Sequence, residues 1–143
     1  MSSQPSERAA VVAVIQPVDN NGATTLTASF DHSEFGESMW IVQVGVIAAG
    51  GVTDFKLQSS ATSGGTYADI TGKSITQFSA TDDGKTAIIN LKAEELPTGE
   101  PFVKGRLLSG AGSALASVVA LGLLPRYGPA NDDDLSTVAQ IVT

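Results

Sequence analysis

Residues 52–72, VTDFKLQSSATSGGTYADITG, decide how the rest of the chain is read. Phe55 and Leu57 alternate with Asp54, Lys56 and Gln58, the period of two that marks a strand with one face buried. Gly64 and Gly65 sit in the following loop, where a longer hairpin turn needs residues tolerant of positive φ, and TYADI returns as the partner strand at 66–70. One β-hairpin is therefore the local unit.

Working outward, the same rhythm recurs on both sides. AAVVAVIQ (9–16) closes at Pro17 and the turn Asp19-Asn20-Asn21-Gly22, and ATTLTASF (23–30) sets Leu26, Ala28 and Phe30 on one face. SMWIVQVGVIAA (38–49) is the longest strand, with Trp40, Val42, Val44 and Val46 on one side and Ile41, Gln43, Gly45 and Ile47 on the other. SITQFSA (74–80) and TAIINLKA (86–93) flank Asp82-Asp83-Gly84-Lys85, the strongest hairpin signal in the chain. After the Pro- and Gly-bearing loop EELPTGEP (94–101), FVKGRLLS (102–109) and ALASVVALGLL (114–124) flank Gly110-Ala111-Gly112-Ser113 as an expected terminal hairpin. The Val118-Val119 pair, the interior Gly122 and the preceding turn favour strand over helix for 114–124. Strands at a spacing of roughly 8–12 residues predict an all-β fold, an antiparallel β-sandwich of jelly-roll-like or Ig-like topology. The expected division is an N-terminal arm at 1–8, the sandwich at 9–125 and a C-terminal arm at 126–143, both arms extended.

The chain has 143 residues, the size of one domain, and no cysteine, which excludes thiol catalysis, thiolate zinc sites and disulfides. A single histidine, His32, cannot supply the imidazoles of a catalytic zinc. Eight Lys and Arg against fifteen Asp and Glu give a net charge of -7, and the basic residues are scattered singly, which argues against nucleic acid as a partner. The longest apolar run, 114–124, is about half the roughly 20 residues of a membrane-spanning helix, and the polar MSSQPSERAA start lacks signal-peptide order. A soluble protein made in a cytoplasm, with no membrane partner, is expected.

No catalytic constellation emerges. His32 lies in the polar segment FDHSEFGES and reads as an exposed, solvated turn residue. Asp82-Asp83, Glu94-Glu95 and Asp132-Asp133-Asp134 read as turn, loop and capping residues rather than acid-base pairs, and the triplet lacks the spacing of a calcium loop. Gly50-Gly51 and Gly64-Gly65 lack the flanking elements of phosphate loops, and Trp40 alternates with valines as core. No enzyme, no cofactor and no metal site is expected.

DFKLQSSATSGGTYADITG (54–72) and FVKGRLLSGAGSALASVVALGLLPR (102–126) resemble small β-sandwich structural proteins of tailed bacteriophages and prophages. That resemblance implies a capsid decoration, or cement, subunit. Its partners would be the major capsid protein and itself, as a homotrimer, on the capsid exterior of the virion. A head-tail connector, another tail protein, or a carbohydrate or cell-surface binding module are the alternatives. The tail fits a clamp: Arg126, Tyr127, Leu135, Val138, Ile141 and Val142 are the expected partner-contact residues, on a capped short helix or on a strand added to a neighbouring sheet.

Overall fold

The computed structural model describes residues 3–143. The strands are β1 (Ala9–Asp19), β2 (Thr24–Leu26), β3 (Phe30–Asp31), β4 (Phe35–Ile47), β5 (Val52–Ser60), β6 (Ala68–Ser74), β7 (Phe78–Ser79), β8 (Thr86–Lys92), β9 (Phe102–Ser109) and β10 (Ala114–Pro125). Only short 3-10 turns interrupt them. Sheet A has the order β1-β10-β4-β8; sheet B has β2-β9-β5-β6, with β3 also on β9 and β7 also on β5. All pairings are antiparallel. If β2 with β3, and β6 with β7, count as single interrupted strands, each sheet has four, and their interleaved order is that of a jelly roll. The protein is an all-β antiparallel sandwich, and the choice between jelly-roll and Ig-like topology falls to the former.

The core lies between the sheets. Sheet A contributes Ala10, Ile15, Trp40, Val42, Val44, Leu91, Val118 and Ala120, and sheet B contributes Phe55, Leu57, Val103 and Leu107. Trp40 and Phe55 meet across the sandwich with ring centroids 6.1 Å apart. Gly105 makes room for them, since a Cβ there would run into the Phe55 ring and sit 3.0 Å from Trp40 Cζ3.

The hairpin at 52–72 forms, with Ser59 opposite Ala68, but its return strand runs from Ala68 to Ser74 rather than 66–70, and neither Gly64 nor Gly65 takes a positive φ. Two other expected hairpins do not form. The turn at 82–85 exists, with Lys85 N donating to Asp82 O at 3.1 Å, yet it carries the chain from sheet B to sheet A. Val44 N bonds Lys85 O and Ile47 N bonds Asp83 Oδ1, so the loop is already joined to β4 before β8 begins. Residues 110–113 likewise cross between sheets: Gly110 N bonds Val52 O in sheet B, while Ala114 N and Ser113 Oγ bond the Asp19 carboxylate in sheet A.

Three local details also differ from expectation. The segment 23–30 breaks into β2 and β3 around Thr27, whose N–H and hydroxyl both bond Gly105, and Leu26 turns outward. The alternation in β4 shifts after Val44, so that Ile47 is buried and Val46 exposed, because Ala114 and Ala116 pair with Ile47 and Val44 through a bulge. Another bulge in β1 lets the adjacent Val12 and Ala13 both face the core.

Of 126–143, residues 130–135 lie against β1. Ala130 is fully buried, Leu135 N donates to Val11 O at 2.9 Å, and Val11 N donates to Asp134 Oδ1 at 2.7 Å. Residues 136–143 continue without regular structure. At the other end, Pro5–Glu7 forms a 3-10 turn.

Gly105→Ala is expected to destabilise the domain by about 1–3 kcal/mol through overpacking between Phe55 and Trp40. Gly64→Ala, in open space, should stay within about 0.5 kcal/mol of the parent in urea denaturation.

Candidate functional site

The two outer faces of the sandwich differ in chemistry. On sheet B, Asp54, Lys56, Gln58, Lys104 and Arg106 alternate with core residues. Their charges are engaged locally: Lys56 Nζ lies 2.7 Å from Asp69 Oδ2, Gln58 donates to Asp69, Gln77 donates to Asp54, and Lys104 Nζ sits 4.0 Å from the Tyr67 ring centre. Hydrogen bonds from Lys56 and Gln58 hold the Asp69 carboxyl below its ordinary pKa. This is a solvated surface.

Sheet A carries an aliphatic patch on its outer side as well as its core side. The register places Val14, Val119, Ile41 and Ile88 side by side across all four strands, each one step out of phase with a core residue. The next row is Val11, Leu121, Met39 and Asn90, and the one after it Ala9, Leu123, Glu37 and Lys92. On the opposite side of the central row, Ser117, Gln43 and Thr86 form a polar border, with Thr86 Oγ1 donating to Gln43 Oε1 at 2.8 Å. Ile88 is 56% exposed and Val119 38%. A continuous aliphatic patch bordered by polar residues is the surface pattern of a contact site.

Across that polar border lies a groove of about 440 Å³ lined by Pro17, Val18, Asp19, Gln43, Gly45 and Leu115. Gly45 leaves the gap, for a Cβ there would press within 3.1 Å of Leu115 Cβ. Beyond the patch, Leu124 is 63% exposed and has φ of 52°, a left-handed conformation that is costly for a bulky residue and more so before proline. The edges of sheet A are protected: Asp134 and Leu135 cap β1 at Val11, and Lys73 Nζ bonds Asn90 O on β8 at 2.8 Å while pairing with Glu95. A face, rather than an edge, is what this sheet offers.

The expected contact residues are spread along the tail. Arg126 and Tyr127 are exposed, Tyr127 by 74%; Leu135 and Val138 are half-buried; Ile141 and Val142 are exposed. The short helix or added strand expected beyond Asp134 is a turn, Val138 N bonding Leu135 O, followed by irregular chain. The sheet A patch was not singled out from the sequence. Its signal lay in runs apolar at successive positions, such as AAVVAVI and ALASVVALGLL, which imply two buried faces rather than one.

His32 corrects the expectation of a solvated turn residue: it is fully buried. Asp31 caps the 3-10 turn His32–Glu34 through Ser33 N, His32 N bonds Pro101 O, and the imidazole turns inward, 5.6 Å from the Phe30 ring. Ser38 Oγ bridges His32 Nε2 at 2.9 Å and Trp40 Nε1 at 3.1 Å. The indole can only donate, so the Ser38 hydroxyl accepts from it and has its own hydrogen free for Nε2. This Ser–His pair lacks the third member of a triad, since Nδ1 has no hydrogen-bond partner, and Ser38 is itself sealed from solvent. It organises the aromatic core rather than presenting a nucleophile.

The acidic pairs hold backbone and lysines. Asp82 accepts from Ser79 N and Lys85, Asp83 from Ile47 N, Glu95 from Lys92 N and Lys73, and Asp134 from Val11 N. Glu34 is different: burial, with the nearby Asp133 and Asp31 carboxylates, pushes its pKa up. Among the described residues, no group of three or more His, Asp or Glu side chains is placed to hold a metal ion.

Neither a protein-family model nor a curated protein matches the chain. Among solved structures it is similar to a chain from Bacillus endospore appendages, which are described as a novel family of disulfide-linked pili. The identity is 14% over 87% of this chain and 97% of that one, with a TM-score of 0.38. A likeness of that extent says nothing about what this chain does, and the chain has no cysteine with which to form a disulfide link.

Burial above all, with the Arg126 guanidinium, holds the His32 pKa below its ordinary 6.5. The native state then binds fewer protons than the unfolded chain, so the His32 contribution to stability is full above pH 6.5 and falls as pH drops toward the folded pKa. Glu34 acts with opposite sign, losing stability as pH rises from 4.5 through its raised pKa. The parent is therefore compared with His32→Gln, which keeps Glu34. The difference in their melting temperatures should shift against the parent between pH 7.5 and 5; a pH-independent difference would contradict the assignment.

Proposed function

We propose that the chain is a non-enzymatic structural subunit that works by contact, with the outer face of sheet A as its principal contact surface. The observation that carries this reading is the row Val14–Val119–Ile41–Ile88 and its aliphatic neighbours, a continuous outward-facing patch, whereas the other sheet intersperses its exposed Leu26 and Leu108 with charged and amide side chains. A soluble domain gains nothing from keeping such a face bare, whereas an assembly subunit gains apolar burial when it meets its partner.

In its narrower form the proposal is a capsid decoration or cement subunit of a tailed-phage head. It would bind the major capsid protein on the capsid exterior and associate with itself as a homotrimer. Support comes from the resemblance of 54–72 and 102–126 to phage structural proteins, and from the mechanics of a lattice. Repeated modest contacts on a symmetric shell add up by avidity, by about 10²–10⁴ over a single contact. The carbohydrate-binding alternative needs exposed aromatic rings side by side, and Trp40, Phe35 and Phe55 are all buried.

Ile88→Lys and Val119→Lys should melt close to the parent, both positions being exposed, yet bind assembled tailed-phage shells at least tenfold more weakly in co-sedimentation. Lys56→Glu, on the polar face of sheet B, should bind as the parent does. If the parent itself failed to bind shells, and left their heat resistance unchanged, the capsid assignment would be abandoned.

A further inference from the structure

We propose that the C-terminal segment of one copy, residues 138–143, lies on the outer face of sheet A of a second copy, its Ile141 and Val142 covering the Val14–Val119–Ile41–Ile88 row and the groove above Gly45. This rests on the reading of that face as a contact surface and names its occupant.

Two uncovered apolar features stand on the same molecule. The sheet face leaves Ile88 56% and Val119 38% exposed, and the tail leaves Ile141 44% and Val142 82% exposed, so the tail does not cover the face of its own copy. Their chemistry matches. Residues 135–143, LSTVAQIVT, carry no charged side chain in a chain of net charge -7, and the central row of the face carries none either, while Asp19 at the groove is held by Ser113 Oγ and Ala114 N. A highly charged partner would leave ions unpaired against this patch, whereas an uncharged aliphatic segment leaves none.

The geometry also favours transfer between copies. Leu135 N on Val11 O and Asp134 Oδ1 on Val11 N pin the base of the tail to the edge of β1, beside the apolar face. Eight residues follow, 136–143, which reach about 26 Å when extended at roughly 3.3 Å per residue, against about 14 Å across four strands of a sheet. The tail has the length to leave its own edge and cross a neighbour's sheet. The edges of sheet A are capped where Val11 meets the tail and where Asn90 meets Lys73, so the tail is offered a face to cover rather than an edge strand to extend. A tail-to-face contact is heterologous and propagates around a ring, which suits a closed cyclic oligomer.

The test is the mass of the purified protein in solution, by sedimentation equilibrium without shells present. The parent should be a multiple of 14.6 kDa. A chain ending at Leu135 should be a monomer, as should Val119→Lys and, as a second face variant on an exposed edge-strand position, Ile88→Asp. An equimolar mixture of the shortened chain, which keeps the face, and a face variant, which keeps the tail, should restore a 1:1 dimer. A parent that is monomeric overturns the proposal. So does a shortened chain that still associates, which would mean face-to-face packing, and so do face variants that still associate through the tail. Shell binding is read separately: a monomeric parent that binds shells removes this inference alone, and an oligomer that ignores shells removes the capsid assignment alone.

Discussion

Trp40 and Phe55 hold the sandwich together from opposite sheets, and the contact depends on Gly105 having no side chain. Large aromatic rings contribute the most buried area per residue, but only if backbone on the facing sheet comes close enough to leave no void. With Gly105 on β9 beneath them, the rings reach across, and Ser38, His32 and Phe30 arrange themselves around the indole. Ser38 and His32, both buried, join by a hydrogen bond, which lowers the cost of placing them in an apolar core.

Given that inner contact, sheet A has an outer face to account for. Its strands β1, β4 and β10 carry apolar runs at successive positions, so the side turned from the core bears an aliphatic patch of its own. Sheet B does the opposite, alternating core residues with charges that find partners on the same sheet. The domain is thus two-faced in a literal chemical sense, and its tail carries no charged side chain beyond Asp134. In the proposed reading, this distribution of surface rather than a reactive group carries the function.

Several parts of this were legible along the chain, because they are local. Alternation at Asp54–Gln58 marks which side chains are buried whatever the strand pairs with, and β5 was bounded at Val52 and Ser60. Trp40 as core followed from its valine neighbours. The arms were legible as compositional breaks, although Ala130, Asp134 and Leu135 turned out to dock on β1, a contact made by a residue distant in sequence. His32 was misread because its neighbours Asp31, Ser33 and Glu34 are polar; the 3-10 turn sends those side chains one way and the imidazole the other.

By itself the sequence determined the β class, most of the places where the chain reverses, the absence of thiol chemistry and the acidic balance, all of which depend on residue type and near neighbours. Only the tertiary structure decided that 82–85 and 110–113 are crossings rather than hairpins, that the order is a jelly roll, and that four aliphatic side chains from four strands stand in one outward-facing row. A turn signal specifies that the chain bends back; it carries no information about which sheet will receive the returning strand. That is settled by where Ile89, Leu91, Val118 and Ala120 can be buried together, and it is therefore a property of the whole packed core.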